Sequence, residues 1–235
     1  MISSKKNSDN RIILFIKSPV AGKVKTRLQP DLSPVESATL YQSFAQDIVS
    51  QLIETFGSQM ISVAYQSFPE FPELSWLNSK VELHHFPQNG NDLGEKLIHA
   101  FKTVFDDGAK KVIALGTDAP HLPLSIVTQA FESLDNNDVV VGPCEDGGYY
   151  LIGLNHMNKK IFENINWSTS NVLPQTQAVC KKEGKKTFLL PIYYDVDVFE
   201  DLKRLNSDKK NNLEKAPKTR IFLDHFFRRT LIDRP

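Results

Sequence analysis

The chain has 235 residues, with 28 Lys plus Arg balanced by 28 Asp plus Glu and only two cysteines. A neutral total gives no general attraction to nucleic acid or to an anionic membrane, and two thiols cannot build a disulfide framework, so nucleic-acid binding and disulfide miniproteins are both excluded as expectations. At this length one folded unit can bury roughly 70–75% of the surface its unfolded chain exposes, so ordinary packing suffices to hold it.

Residues 1–10 are polar, with no apolar signal core, and are expected to form a disordered arm. No apolar run approaches the ~20 residues that cross a bilayer, so a reducing cytoplasm is the expected setting. Compact structure begins at Arg11. Residues 12–16, Ile-Ile-Leu-Phe-Ile, are apolar on both faces, the pattern of a parallel strand covered by helices on two sides. After a loop over 17–32, Ser33, Pro34 and Glu36 predict an N-cap, a first-turn proline and a capping box. The helix they start carries an apolar stripe from Ala38 to Phe56 and stops at Gly57.

The alternation continues. Strands are predicted over 60–65, 81–86, 111–115, 138–141, 149–154 and 187–192, with helices over 93–105, 123–134 and 172–182. The late basic residues Lys181, Lys182, Lys185, Lys186, Lys209, Lys210, Arg228 and Arg229 are read as solvated helix faces and a polar tail. Strands separated by helices imply an α/β fold, a doubly wound and mainly parallel sheet flanked by helices. No linker divides the chain, so residues 11–235 are expected to form one domain, its ligand crevice beyond the carboxyl ends of the strands.

Four segments would reach that crevice. The first loop holds Lys17, Lys23, Lys25 and Arg27. In a helix Lys23 and Arg27 share a side, and in an extended loop Lys23, Lys25 and Arg27 do; either arrangement suits phosphate oxygens, the alternative being a solvated basic loop. Gly22-Lys23 is followed by Val24 and preceded by no glycine, so it is neither a P-loop nor a dinucleotide fingerprint. Leu115-Gly116-Thr117-Asp118-Ala119-Pro120 puts a carboxylate at a strand end, suited either to a hard cation or to an Asx turn. Asp195 and Asp197, roughly 6–7 Å apart if extended, are too distant to clasp one ion without a bend. Asp197 with Glu200 also fits a capping box for a following helix.

Gly142 to Tyr150 includes Asp146, Gly147, Gly148 and Tyr149, either a plain turn or a wall where Asp146 orients or deprotonates an acceptor hydroxyl. Asp92 and Gly94, after Gln88-Asn89-Gly90-Asn91, either face a nucleotide base or cap a helix. Trp167-Ser168-Thr169 fits an acceptor pocket or the core, and Cys144 reads as a small buried residue.

Lys17-Ser18-Pro19 through Lys25-Thr26-Arg27-Leu28, Gly116 to Pro120, Gly142-Pro143 with Asp146 to Tyr149, Trp167-Ser168-Thr169 and Tyr194 to Asp197 occur in an order and at spacings that resemble one family. It is the bacterial family of GT-A-like glycosyltransferases, a domain of unknown function within the nucleotide-diphospho-sugar transferase superfamily. The resemblance covers about residues 11–202. One departure is that Pro19-Val20-Ala21-Gly22 replaces the glycine-rich opening of nucleotidyltransferases.

The resemblance implies a GT-A fold and a metal-dependent glycosyltransferase that uses a nucleotide diphosphate sugar and a small-molecule acceptor. Mg²⁺ or Mn²⁺ would be held by Asp118 and Asp197 with Asp195 beside them. Lys17, Lys23, Lys25, Arg27, Asp92 and Gly94 would face the nucleotide and its phosphates. Arg27 and Asp146 would act in catalysis, and Gly147, Gly148, Tyr149 and Trp167 would wall the acceptor pocket. The alternative is transfer of a nucleotidyl group from a nucleoside triphosphate to a phosphorylated acceptor, which the number of loop cations favours. A third reading is a nucleotide-binding regulator without turnover.

Overall fold

Strand β1 (Asn10–Lys17) is buried on both sides because its alternate residues feed two layers, Ile12, Leu14 and Ile16 one core and Ile13 and Phe15 the other. The computed structural model describes residues 9–70, 72–78 and 80–232. The expected arm therefore lies outside the described residues over 1–8, whereas Asn10 already belongs to β1 and Asp9 pairs with Lys110 at 2.7 Å.

On one side β1 pairs in parallel with β2 (Ile61–Gln66), which pairs in parallel with β3 (His84–Pro87). On the other it pairs in parallel with β4 (Lys111–Leu115). Beyond β4 lie β6 (Tyr149–Leu154), antiparallel to both its neighbours, then β5 (Val139–Pro143) and β7 (Thr187–Leu189). The order β3-β2-β1-β4-β6-β5-β7 reverses direction of growth between β1 and β4, where a doubly wound sheet opens its ligand crevice.

Helices α1 (Pro34–Phe56) and α3 (Leu124–Ser133) cover one face through Ala45, Val49, Leu52, Ile126, Val127 and Ala130. Helices α2 (Leu93–Asp106) and α4 (Val172–Lys182) cover the other through Leu97, Phe101, Val104 and Cys180. The predicted capping box of α1 is present. Glu36 N–H donates to Ser33 Oγ at 3.2 Å and Ser33 N–H to Glu36 Oε2 at 2.8 Å.

Three expectations need correction. The strand predicted over 81–86 begins only at His84, and the one over 187–192 ends at Leu189, before Pro191, which has no N–H to donate. The helix after Asp197, α5 (Phe199–Asn212), is not started by an Asp197–Glu200 box. Asp201 Oδ2 instead accepts the N–H groups of Asp197 and Val198 at 3.0 and 2.9 Å, and Glu200 pairs with Lys203.

Nor is the end of the chain a polar tail. Residues 217–232 form α6 (Pro217–Ile232), whose Leu223 and Phe226 pack with Leu202 and Leu205 of α5 against Leu28, Leu32, Leu40 and Phe44. Asp47, 2% exposed in the middle of α1, accepts the N–H groups of Lys218 and Thr219 at 3.2 and 2.7 Å. It caps α6 from across the chain, and burial pushes its carboxyl above the ordinary range. Lys181, Lys182, Lys186, Arg228 and Arg229 are exposed and Lys185 half-buried, while the side chains of Lys209 and Lys210 lie outside the described residues. No helix among the described residues is long and apolar enough to cross a membrane.

Candidate active site

The loop leaving β1 is fixed before it reaches the crevice. Lys17 N–H donates to Tyr41 Oη of α1 at 2.8 Å, and Phe68 N–H donates to the fully buried Ser18 hydroxyl at 3.0 Å. Val20 to Lys23 then form a turn closed at 3.0 Å, with Gly22 at φ 80 in the third position, where a side chain would be strained. Lys25 follows in the left-handed region at φ 47, and a single 3₁₀ turn spans Thr26–Leu28.

Neither the helical nor the extended arrangement of the loop cations is therefore adopted. Buried Val24 and Leu28 anchor the loop, Lys23 and Arg27 are exposed, and Lys25 turns inward. Its ammonium lies 2.5 Å from Asp118 Oδ1, 3.0 Å from Asp197 Oδ1 and 2.7 Å from the Val196 carbonyl, with the side chain only 4% exposed. Burial alone would lower the Lys25 pKa, but the two carboxylates outweigh it and hold the ammonium above its ordinary value.

Two further links hold these segments together. Val196 N–H donates to the Asp118 carbonyl at 2.9 Å, and Arg27 Nη1 stands 3.6 Å from Asp197 Oδ2. Behind them Asp195 shares a hydrogen bond with the Cys144 thiol. Burial, then the neighbouring Asp118 charge, pushes the Asp195 carboxyl up to about 7. Cys144 is buried and its thiol pKa is pushed up by the same burial, in keeping with its reading as an inert core residue.

One cleft of about 1010 Å³ is lined by Lys17, Lys23, Lys25, Arg27, Asp92, Asp118, Asp146, Gly148, Tyr149, Trp167, Asp195 and Asp197. Gly94 and Gly147 stand behind its wall. A Cβ at Gly94 would meet Trp167 Nε1 at 2.6 Å, and one at Gly147 the Ser170 carbonyl at 2.3 Å, so both are close-packing positions. Asp92 caps α2, its Oδ1 accepting Glu95 N–H at 2.8 Å. Asp146 Oδ1 accepts Gly148 N–H at 2.9 Å, the turn-forming alternative, while the residue still lines the cleft. Tyr149 meets Trp167 edge to face at 6.3 Å, and burial beside Thr176 and Cys180 raises its hydroxyl pKa, so its ring rather than its hydroxyl serves the wall.

Sequence reasoning missed Lys96 and took Gln88 only as part of a segment whose backbone faces a base or caps a helix, yet both side chains line the cleft. Lys96 was within reach, since the Asp92 cap puts it in the second turn of α2, four residues on and on the same side. Gln88 donates its side-chain amide to the carbonyls of Ile16 and Ala64 at 3.1 and 2.9 Å, across the ends of β1 and β2.

Among the described residues no group of three or more His, Cys, Asp or Glu side chains is placed to hold a metal ion. The donor set nevertheless fits a hard cation completed by substrate. Two carboxylates and a carbonyl already surround one positive charge, the Lys25 ammonium, and Mg²⁺ typically takes one or two carboxylates and fills its shell with phosphate and water.

Solved structures carry the same arrangement of elements. A crystal structure from Desulfovibrio desulfuricans, provisionally designated a nucleotide-diphospho-sugar transferase, shares 32% identity at a TM-score of 0.86, covering 94% of this chain and 98% of its own. A cytidylyltransferase from Leptospira borgpetersenii superposes at 0.56 with 15% identity, covering 95% and 96% of the two chains, and a CMP:2-keto-3-deoxy-manno-octonic acid synthetase complexed with CTP at 0.51 with 12%, covering 84% and 97%. The last two show the fold alone. No curated protein sequence matches the chain. Residues 51–169 match the model of a family described as an uncharacterized protein conserved in bacteria, DUF2064, and with the nucleotide-diphospho-sugar transferase fold in place over nearly its whole length the chain belongs to that family.

Proposed function

We propose that the protein is a metal-dependent glycosyltransferase acting on a nucleotide diphosphate sugar and a small-molecule acceptor. The observation that carries this reading is the convergence of Asp118, Asp197, Lys25 and Arg27 at the carboxyl ends of β1 and β4, at one wall of a single cleft. The likeness to the Desulfovibrio structure supports it.

Lys17, Lys23 and Lys96 face the cleft with Arg27 and would bind the diphosphate oxygens, Arg27 by its planar fork and the lysines as mobile charges. Asp118 and Asp197 would hold Mg²⁺ or Mn²⁺, which when bound neutralises the departing diphosphate. Tyr149 and Trp167 would wall the acceptor. The acceptor oxygen bonds to the anomeric carbon as the bond from that carbon to the diphosphate oxygen breaks, its electron pair leaving with the nucleoside diphosphate. The acceptor proton passes to Asp146, which lines the same cleft.

A nucleotidyltransferase is the second reading, favoured by the five cleft cations Lys17, Lys23, Lys25, Arg27 and Lys96, because a triphosphate carries more negative charge than a diphosphate sugar. Incubation of the purified protein with Mg²⁺ or Mn²⁺ and panels of sugar nucleotides and nucleoside triphosphates separates them. Release of nucleoside diphosphate is the expected result, pyrophosphate marks the second reading, and binding with neither product marks a regulator.

A further inference from the structure

The two aspartates assigned to the metal already share a cation, supplied by the chain itself. Lys25 Nζ makes contacts of 2.5, 3.0 and 2.7 Å to Asp118 Oδ1, Asp197 Oδ1 and the Val196 carbonyl, so it occupies the position between the carboxylates rather than a neighbouring one. A divalent ion on the same oxygens would stand at contact distance from the Lys25 ammonium, whose side chain is only 4% exposed, and two like charges there repel. Both cannot stay.

We propose that Lys25 is an exchangeable counter-ion, which holds the aspartate pair together before metal binds and is displaced by the metal onto the polyphosphate. This rests on the reading of Asp118 and Asp197 as metal ligands. The displacement requires only rotation of the lysine stem, since Val24 and Leu28 on either side stay buried. The released ammonium then faces the cleft beside Lys23 and Arg27, where phosphate oxygens that complete the metal shell would receive it. Metal and nucleotide therefore favour each other's binding: the metal alone must break the lysine contacts without replacement, whereas metal with a polyphosphate replaces them. Lys25 is on this account a positioning residue that suppresses metal binding in the absence of substrate.

The test is a titration of the full chain with Mn²⁺ alone, reading free ion by electron paramagnetic resonance, for the wild type, Lys25→Met and Lys25→Gln. Gln retains a donor for the Val196 carbonyl and guards against loss of the loop. Both variants are expected to bind Mn²⁺ at least tenfold more tightly than the wild type, and their melting temperatures to rise more on adding it. A variant that folds only with Mn²⁺ present counts equally in favour. Equal or weaker affinity in a folded variant overturns the exchange while leaving the metal reading intact. Absence of Mn²⁺ binding by every protein, with and without added uridine diphosphate, overturns the metal reading and the exchange with it.

Discussion

Two charged clusters lie on either side of the segment Tyr194 to Asp197, and they are built on opposite principles. On the outer side Arg204 donates to both oxygens of Glu145 at 2.8 and 3.0 Å, its guanidinium lies 3.8 Å above the Tyr194 ring, and that ring stacks on His121 at 4.2 Å. One cation meets one carboxylate in a fork geometry that satisfies both, at a surface where such pairs contribute little. On the cleft side one buried ammonium serves two carboxylates, and among the described residues the other cation paired with them, Arg27, is 68% exposed. The outer cluster is closed and the inner one is short of buried positive charge. A deficit of that kind is where a charged ligand gains most, so the inner cluster is the one to perturb for function and the outer one for docking of α5.

The contrast would be broken most sharply by Asp118→Asn. Turnover is expected to fall a thousandfold or more with the circular dichroism spectrum unchanged, because Asp197 and the Val196 carbonyl still hold Lys25; retained turnover, measured as nucleoside diphosphate release, would reduce the inner cluster to a structural device. Arg27→Ala should weaken nucleotide binding about tenfold, an effect that shrinks at high salt because the side chain is exposed; isothermal titration at two ionic strengths measures it. In the outer cluster, His121 is 5% exposed, and neither ring nitrogen has a hydrogen-bond partner among the described residues.

Burial, with Arg204 nearby, lowers the His121 pKa to about 4. The unfolded chain then binds the proton first, so this contribution is whole above about pH 6.5 and is lost as pH falls toward 4, about 2 kcal/mol by pH 5. In denaturant melts across this range the wild type should lose stability relative to His121→Phe as pH falls, and parallel curves would refute the assignment. Arg204→Ala should cost about 1 kcal/mol or less and leave turnover unaltered, as read by the urea midpoint and the same product assay.

Local chemistry made most of the scaffold readable. The Ser33-Pro34-Val35-Glu36 box and Gly57 bracket α1 as expected, and Lys111–Leu115, Tyr149–Leu154 and Val172–Lys182 match their predicted bounds. What escaped depends on partners distant in sequence. The apolar residues of α6 meet Leu28 and Phe44, and its cap is Asp47, some 170 residues earlier, which reads in isolation as an ordinary helix-surface acid. The cleft divides the same way. The motif residues come together in one place, but their division of labour was hidden: nothing in Lys23-Val24-Lys25-Thr26-Arg27 says that the middle cation alone turns inward, because its left-handed backbone depends on what Val24 and Leu28 pack against. Tyr41 was invisible as a cleft residue for a like reason, set as it is in an apolar stripe, whereas Lys96 could have been found from the Asp92 cap.

The reversed course of β6 has a consequence for how such a molecule diversifies. A strand running against its neighbours begins where they end, so the connection from β5 is a tight hairpin whose Asp146 and Gly148 line the cleft. Extra residues inserted at Glu145 or Asp146 would add a loop-closure cost of about 0.6 kcal/mol for each doubling of length, along with whatever is lost of the Arg204–Glu145 fork and the Asp146 bond to Gly148. The rim that this turn supplies can thus vary in length and shape while the loop after β1, anchored by buried Val24 and Leu28, keeps its place.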